Sequence, residues 1–149
     1  MQWTHCLAIG VLILEILVSC ATTGEQIATS EISLYDRLGG KPAIRAIVDD
    51  FVARVAADSR INRFFANTDI PSLKAQLVDQ ICEASGGPCK YTGKDMKTTH
   101  AAMGITNADF DALVEDLVAT LNKFKVPEKE QGELLSVLGP MRKDIVTKQ

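Results

Sequence analysis

From Ile44 onward the apolar positions recur three and four apart: Ile44, Ile47, Val48, Phe51, Val52 and Val55, with Asp49, Asp50 and Arg54 on the other faces. That spacing predicts an amphipathic helix. Pro42 suits its first turn, and Asp58-Ser59-Arg60 breaks it. Ahead of it, Ser33 can cap a short helix from Leu34 to Leu38 that Gly39-Gly40 ends. Ile61 to Phe65 reads as a short helical turn presenting two adjacent phenylalanines. Thr68-Asp69 before Pro71 is a helix start signal. Leu73, Leu77, Ile81 and Ala84 then line one face of a helix that Gly86-Gly87-Pro88 stops.

A short helical segment with Met96, His100 and Met103 follows and closes at Gly104. Thr106-Asn107-Ala108-Asp109 resembles a capping box with Asp in the last place. Phe110, Leu113, Val114, Leu117, Leu121 and Phe124 continue at helical spacing, and Val126-Pro127 turns the chain. Leu134, Leu135, Leu138, Met141 and Ile145 make a last helix, bent where Gly139-Pro140 removes a backbone donor. No stretch alternates with period two, so the fold class is all-α. The five phenylalanines all fall on apolar faces, where core packing accounts for any one of them taken singly.

The ends add a second layer. Cys6 to Val18 is an apolar run too short to span a bilayer, which needs about 20 such residues. It fits the apolar core of a secretory signal. Leu17-Val18-Ser19-Cys20 resembles a bacterial lipoprotein cleavage site, which makes residues 1–19 a signal peptide and Cys20 the lipidated first residue of the mature chain. No Lys or Arg precedes the run, and Glu15 interrupts it. An uncleaved anchor, or a misplaced start before a cytoplasmic protein, is the alternative. Residues 20–31 are small and polar, a tether, and residues 32–149 form one compact domain. The expected location is the envelope, lipid-anchored and facing the periplasm.

With 16 Lys and Arg against 19 Asp and Glu, the net charge is −3, and no stretch is strongly basic. Nucleic acid is not an expected partner. Cys82 and Cys89 lie seven apart across the Gly86-Gly87-Pro88 turn, which can bring them within bridging distance. A disulfide, favoured in an exported protein, and two free thiols fit that spacing equally. One histidine outside the leader and no Cys-x-x-Cys leave too few ligands for zinc. His100 is thus the one imidazole of the folded part, since His5 is in the leader. Taken alone, a lone histidine on a short helix is more often a surface or core residue than a ligand.

Four places together resemble a known family. Gly39-Gly40 stands at the first interhelical turn. Asp50-Phe51 leads to Arg54-Val55, with Phe64-Phe65 beyond. Gly86-Gly87-Pro88 follows the helix from Pro71. Tyr91-Thr92-Gly93 comes with Met96-Lys97 and His100, then Gly104-Ile105-Thr106 and Phe110. The ordered set is similar to the group I truncated haemoglobins over Leu34 to about Val146. The resemblance implies a truncated globin fold, a two-over-two sandwich of helices around haem b. It makes His100 the proximal iron ligand and Phe65 the ring that packs on the haem face. Leu73, Leu77, Met96, Met103, Ile105, Phe110, Leu113 and Leu117 would line the haem pocket. Thr68, Lys74 and Tyr91 are candidates to meet the propionates. A single histidine on an apolar face leaves one iron position open for a diatomic gas.

This chain departs from the family on the distal side. After the phenylalanine of the first long helix many members carry a tyrosine whose hydroxyl holds the gas; here it is Val52. The distal helix commonly supplies a glutamine, and here that position is Leu77, with Leu73 one turn before. Gln76, where some relatives place a distal histidine, either swings inward or is a solvated surface glutamine. Tyr35 is a more distant donor. The expected ligands are oxygen, carbon monoxide and nitric oxide, with oxygen held weakly. Three other roles compete: nitric oxide oxidation with a partner reductase or a peroxidase-like side activity, gas or redox sensing or electron transfer at the envelope, and a haemless interaction lipoprotein.

Overall fold

The computed structural model describes residues 32–148. The residues read as signal peptide, tether and lipidation site Cys20 lie outside the described residues. Among the described residues, all regular structure is helical, and no helix is long and apolar enough to cross a membrane.

Helix α1 is Leu34–Arg37, capped by Ser33, whose Oγ accepts the Asp36 amide at 3.1 Å. Gly39 and Gly40 have φ of +93° and +71°, so the chain reverses through a left-handed turn that residues with a Cβ avoid. Helix α2, Gly40–Ala57, buries the whole predicted apolar stripe from Ile44 to Val55. A 3-10 turn at Asn62–Phe65 carries the phenylalanine pair. Helix α3, Ile70–Ala84, starts on Asp69, which accepts the Ser72 amide at 3.3 Å, and ends at Ser85 before the left-handed Gly86.

Helix α4 is only Met96–His100, capped by Asp95. Helix α5, Asn107–Lys123, opens with the full capping box: the Thr106 hydroxyl receives the Asp109 amide, and the Asp109 carboxylate receives the Thr106 amide. The last apolar run is three pieces: α6 at Glu128–Leu138, a 3-10 turn at Gly139–Met141 and α7 at Arg142–Ile145. The break falls at Gly139-Pro140, where proline has no amide hydrogen to give.

Helix α2 sits at the centre, packed on α3 on one side and α5 on the other, while α1 reaches α6 and α4 reaches α7. This is the expected two-over-two sandwich. Val48, Leu121, Ile44, Ile61 and Leu134 form its innermost layer. Arg37 ties α1 to α6 through Glu130, at 3.0 Å, and through Glu133.

Two expectations change. The segment with His100 does not stay helical to Met103: the Met103 amide turns back to the His100 carbonyl at 3.0 Å, and Gly104 takes a left-handed φ of +64°. Phe124 is not core. It caps the end of α5, 39% exposed, because the helix stops one residue before it.

Candidate functional site

The packing of α2 and α3 against α4, α5 and the α6–α7 segment leaves a cavity of about 400 Å³. Its walls follow helical spacing. Val52 and Phe51 come from α2; Leu73 and Leu77, one turn apart, come from α3; Phe110, Leu113 and Leu117 come from α5. Phe65 closes it from the 3-10 turn, and Met96 and His100 from α4. Each belongs to an apolar stripe that the sequence pattern had already grouped, and the fold turns the stripes toward one space.

His100 lines this cavity with its ring held from behind. Its Nδ1 is 2.7 Å from the Met96 carbonyl oxygen one turn back. A carbonyl only accepts, so Nδ1 carries the hydrogen, and in the neutral form of such a ring the lone pair is at Nε2. That is the tautomer of a metal-binding imidazole whose other nitrogen is engaged. Among the described residues no three His, Cys, Asp or Glu side chains converge on a metal position. One imidazole in a largely apolar cavity suits a metal that brings its remaining ligands in a flat organic ring.

The polar rim is made by the loop ahead of α4. The Tyr91 hydroxyl donates to the Lys94 carbonyl at 2.8 Å, and burial, aided by the Asp95 carboxylate, pushes its pKa up, so it stays protonated. Gln76 lies beside it: a Cβ added at Gly93 would stand 2.4 Å from both Gln76 Oε1 and Tyr91 Oη. Gln76 therefore leans toward the rim loop. Thr99 lines the cavity with its hydroxyl donating to the Asp95 carbonyl at 2.9 Å. Arg142, also in the wall, stacks over the Phe110 ring at 4.3 Å and pairs with Asp111.

Several expected positions lie elsewhere. Met103 and Ile105 do not line the cavity. Met103 leaves it because α4 ends at His100, which breaks the three-residue register between them. Ile105 is buried, and its carbonyl accepts the amides of Thr147 and Lys148, at 2.9 and 3.0 Å. Thr68 is exposed, before α3 begins. Lys74 follows Leu73 by one residue and so points about 100° away; it pairs with Asp49 of α2 at 2.9 Å. Tyr35 is not in the wall, and its hydroxyl accepts the Lys41 amide at 3.0 Å.

Other wall residues went unassigned in the sequence. Leu135, Leu138, Met141 and Ile145 close the side facing α3. Their three- and four-residue spacing was visible, but not which face they covered. Gln80, a polar residue outside the apolar stripe of α3, follows Gln76 and Leu77 into the wall. Cys82 and Cys89 are bridged, with α-carbons 5.7 Å apart. The bridge joins the end of α3 to the run of chain entering the rim loop.

The family model for bacterial-like globins matches residues 33–147. The group 1 truncated hemoglobin of Tetrahymena pyriformis is 38% identical over 116 residues, 78% of this chain and 96% of that protein. A group 1 truncated hemoglobin of Synechocystis is 39% identical over 111 residues, 72% of this chain and 90% of that one. Among solved structures, truncated hemoglobin from T. pyriformis in its Fe(III) form superposes with a TM-score of 0.75 over 78% of this chain and all of its own. A 2/2 hemoglobin from a Synechococcus species, solved in the cyanomet state with covalently attached heme, gives 0.74 at 35% identity over the same share of this chain and 100% of its own. The chain therefore belongs to the bacterial-like globins, and within them to the group 1 truncated haemoglobins.

Proposed function

We propose that the protein binds haem b in this cavity and takes up diatomic gases there. The observation that carries the reading is His100: its Nδ1–H is fixed on the Met96 carbonyl at 2.7 Å, and its ring lines an apolar cavity. Haem b supplies the iron at which a gas binds. His100 Nε2 would be its one protein ligand, Phe65, Phe110, Leu113 and Leu117 would exclude water around the macrocycle, and Gln76 and Tyr91 would stand at the polar edge suited to its carboxylates.

On the distal side Val52, Leu73 and Leu77 line the cavity with hydrocarbon, while Gln76 leans toward the rim loop. A buried hydrogen bond to a polar ligand is worth about 1–3 kcal/mol. Without it, oxygen leaves about ten- to a hundredfold faster than from a pocket with a tyrosine donor. Carbon monoxide and nitric oxide depend less on such a bond, so the balance among gases shifts toward them. Spectra of the purified ferrous protein with and without oxygen test this. A Soret band that disappears in His100→Ala supports it; a purified protein that takes up no haem sinks it.

The sequence alone supports export, with Cys20 lipidated and the globin domain held at the envelope on its tether. Incorporation of a labelled fatty acid, abolished by Cys20→Ser, is the expected result.

A further inference from the structure

Gln80 is an amide in an otherwise largely apolar part of the cavity wall. Gln80 is half-buried there, and a polar group turned into such a wall usually finds a partner. Its partners here are two sulfurs. Nε2 is 3.3 Å from Met141 Sδ and 3.8 Å from Met96 Sδ, and a side-chain amide has two hydrogens, one for each. The contact joins three separate pieces of chain: α3, α4 and the 3-10 turn after α6.

Apart from its packing on α7, helix α4 has few contacts that fix its place. It is five residues long and buries none of them. Most of its bonds are its own: the Asp95 carboxylate receives the Thr98 amide at 2.8 Å, and the Thr99 hydroxyl and the His100 ring bond back along the segment. A single turn of helix is marginal without tertiary packing. Met96 is held from outside at its sulfur and holds His100 with its carbonyl. We infer that Gln80 is a positioning residue for the proximal histidine, acting through Met96: the Gln80–Met96 contact sets where the carbonyl that orients His100 stands.

This inference rests on the haem reading and deepens it. Leu73 and Leu77, the distal wall, lie on the same helix and face as Gln80, so one element sets the spacing of both sides. Partners that orient a metal-bound histidine from outside its ligand shell matter when lost, typically about ten- to a hundredfold in metal affinity.

The test uses the haem-loaded protein and the variants Gln80→Leu, Met96→Leu and their combination, all close in volume to the residues replaced. A normal Soret band and thermal midpoint confirm loading and folding in each. The iron–histidine stretching frequency of the deoxy ferrous form, read by resonance Raman, should fall in both single variants, as the residue 96 carbonyl that accepts from His100 is no longer held in place. Haem transfer to apomyoglobin should be about tenfold faster in each. The double variant should match the singles, because both cut one connection. In the apoprotein, nitrogen-15 spectra should show His100 as the Nδ1–H tautomer, and as a mixture in Gln80→Leu. An unchanged iron–histidine frequency in Gln80→Leu, or additive effects in the double variant, overturns the inference while leaving haem binding intact. Failure of the unsubstituted protein to take up haem would instead sink the haem reading.

Discussion

Gln76 of α3 lies so close over Gly93 of the rim loop that a single methyl group there would stand 2.4 Å from its side-chain oxygen. The same methyl would strike the Tyr91 ring. Gly93→Ala should therefore push both polar residues off the cavity edge. Overpacking of this kind costs about 1–3 kcal/mol. The expected result is a lower midpoint in urea and faster haem loss to apomyoglobin, both absent in Gly132→Ala, where a Cβ meets nothing within 4 Å.

Val52→Tyr should return a hydroxyl to the distal wall. Val52 is buried on α2 and lines the cavity, so the ring has to enter that space. Oxygen dissociation, followed by stopped flow, should slow about ten- to a hundredfold. Carbon monoxide dissociation should change far less. Equal slowing for both gases would mean that the ring acts by blocking the exit.

Reducing the Cys82–Cys89 bridge frees a small loop that the oxidised chain keeps closed even when unfolded. On the chain-entropy account the bridge contributes about 2–3 kcal/mol. Urea unfolding with and without a phosphine reductant should differ by that amount, and Cys82→Ser/Cys89→Ser should be insensitive to the reductant.

Asp109 gives an acid-side prediction. Hydrogen bonds from the Thr106 side chain and backbone, then Arg63, hold its pKa at about 2 rather than the ordinary 3.8. A depressed folded pKa means stability that is complete above the ordinary value and lost as pH falls toward about 2. Helicity followed from pH 5 downward should therefore fall more steeply in the parent than in Asp109→Asn over roughly the pH 4 to 2 window.

Asp116 runs the other way. Burial first, and then the charge of Asp58, raises its pKa, and its Oδ2 is buried with no hydrogen-bond partner. A raised carboxyl pKa costs stability once pH rises above the ordinary value, because the folded state resists ionisation. Asp116→Asn should be more stable than the parent at pH 7 and lose that advantage near pH 3, measured by thermal unfolding.

The helices were legible because their stripes and caps are local: Ser33, Asp69 and the Thr106–Asp109 box mark starts, and Gly39-Gly40 and Gly86 mark ends. The cavity-facing residues of α2, α3 and α5 followed from those stripes together with family resemblance. What was not legible depends on where elements stop and how they meet. Met103 has the right spacing from His100, but only within a helix that has already ended. Lys74 is charged and near the cavity in sequence, yet the ion pair with Asp49 takes it to another face of α3. Gln80 carries no signature of its own, since its role comes from two sulfurs 16 and 61 residues away.

One face of α3 has a further consequence. It presents Leu73 and Leu77 to the cavity and Gln80 to the segment that bears His100. Gas occupancy and haem retention are then two ligand equilibria drawing on one helix. Reciprocity requires that whatever factor a bound gas changes the grip on haem, a change in that grip alters gas affinity by the same factor. Variants selected for tighter haem retention through α3 should carry a shifted gas affinity with them.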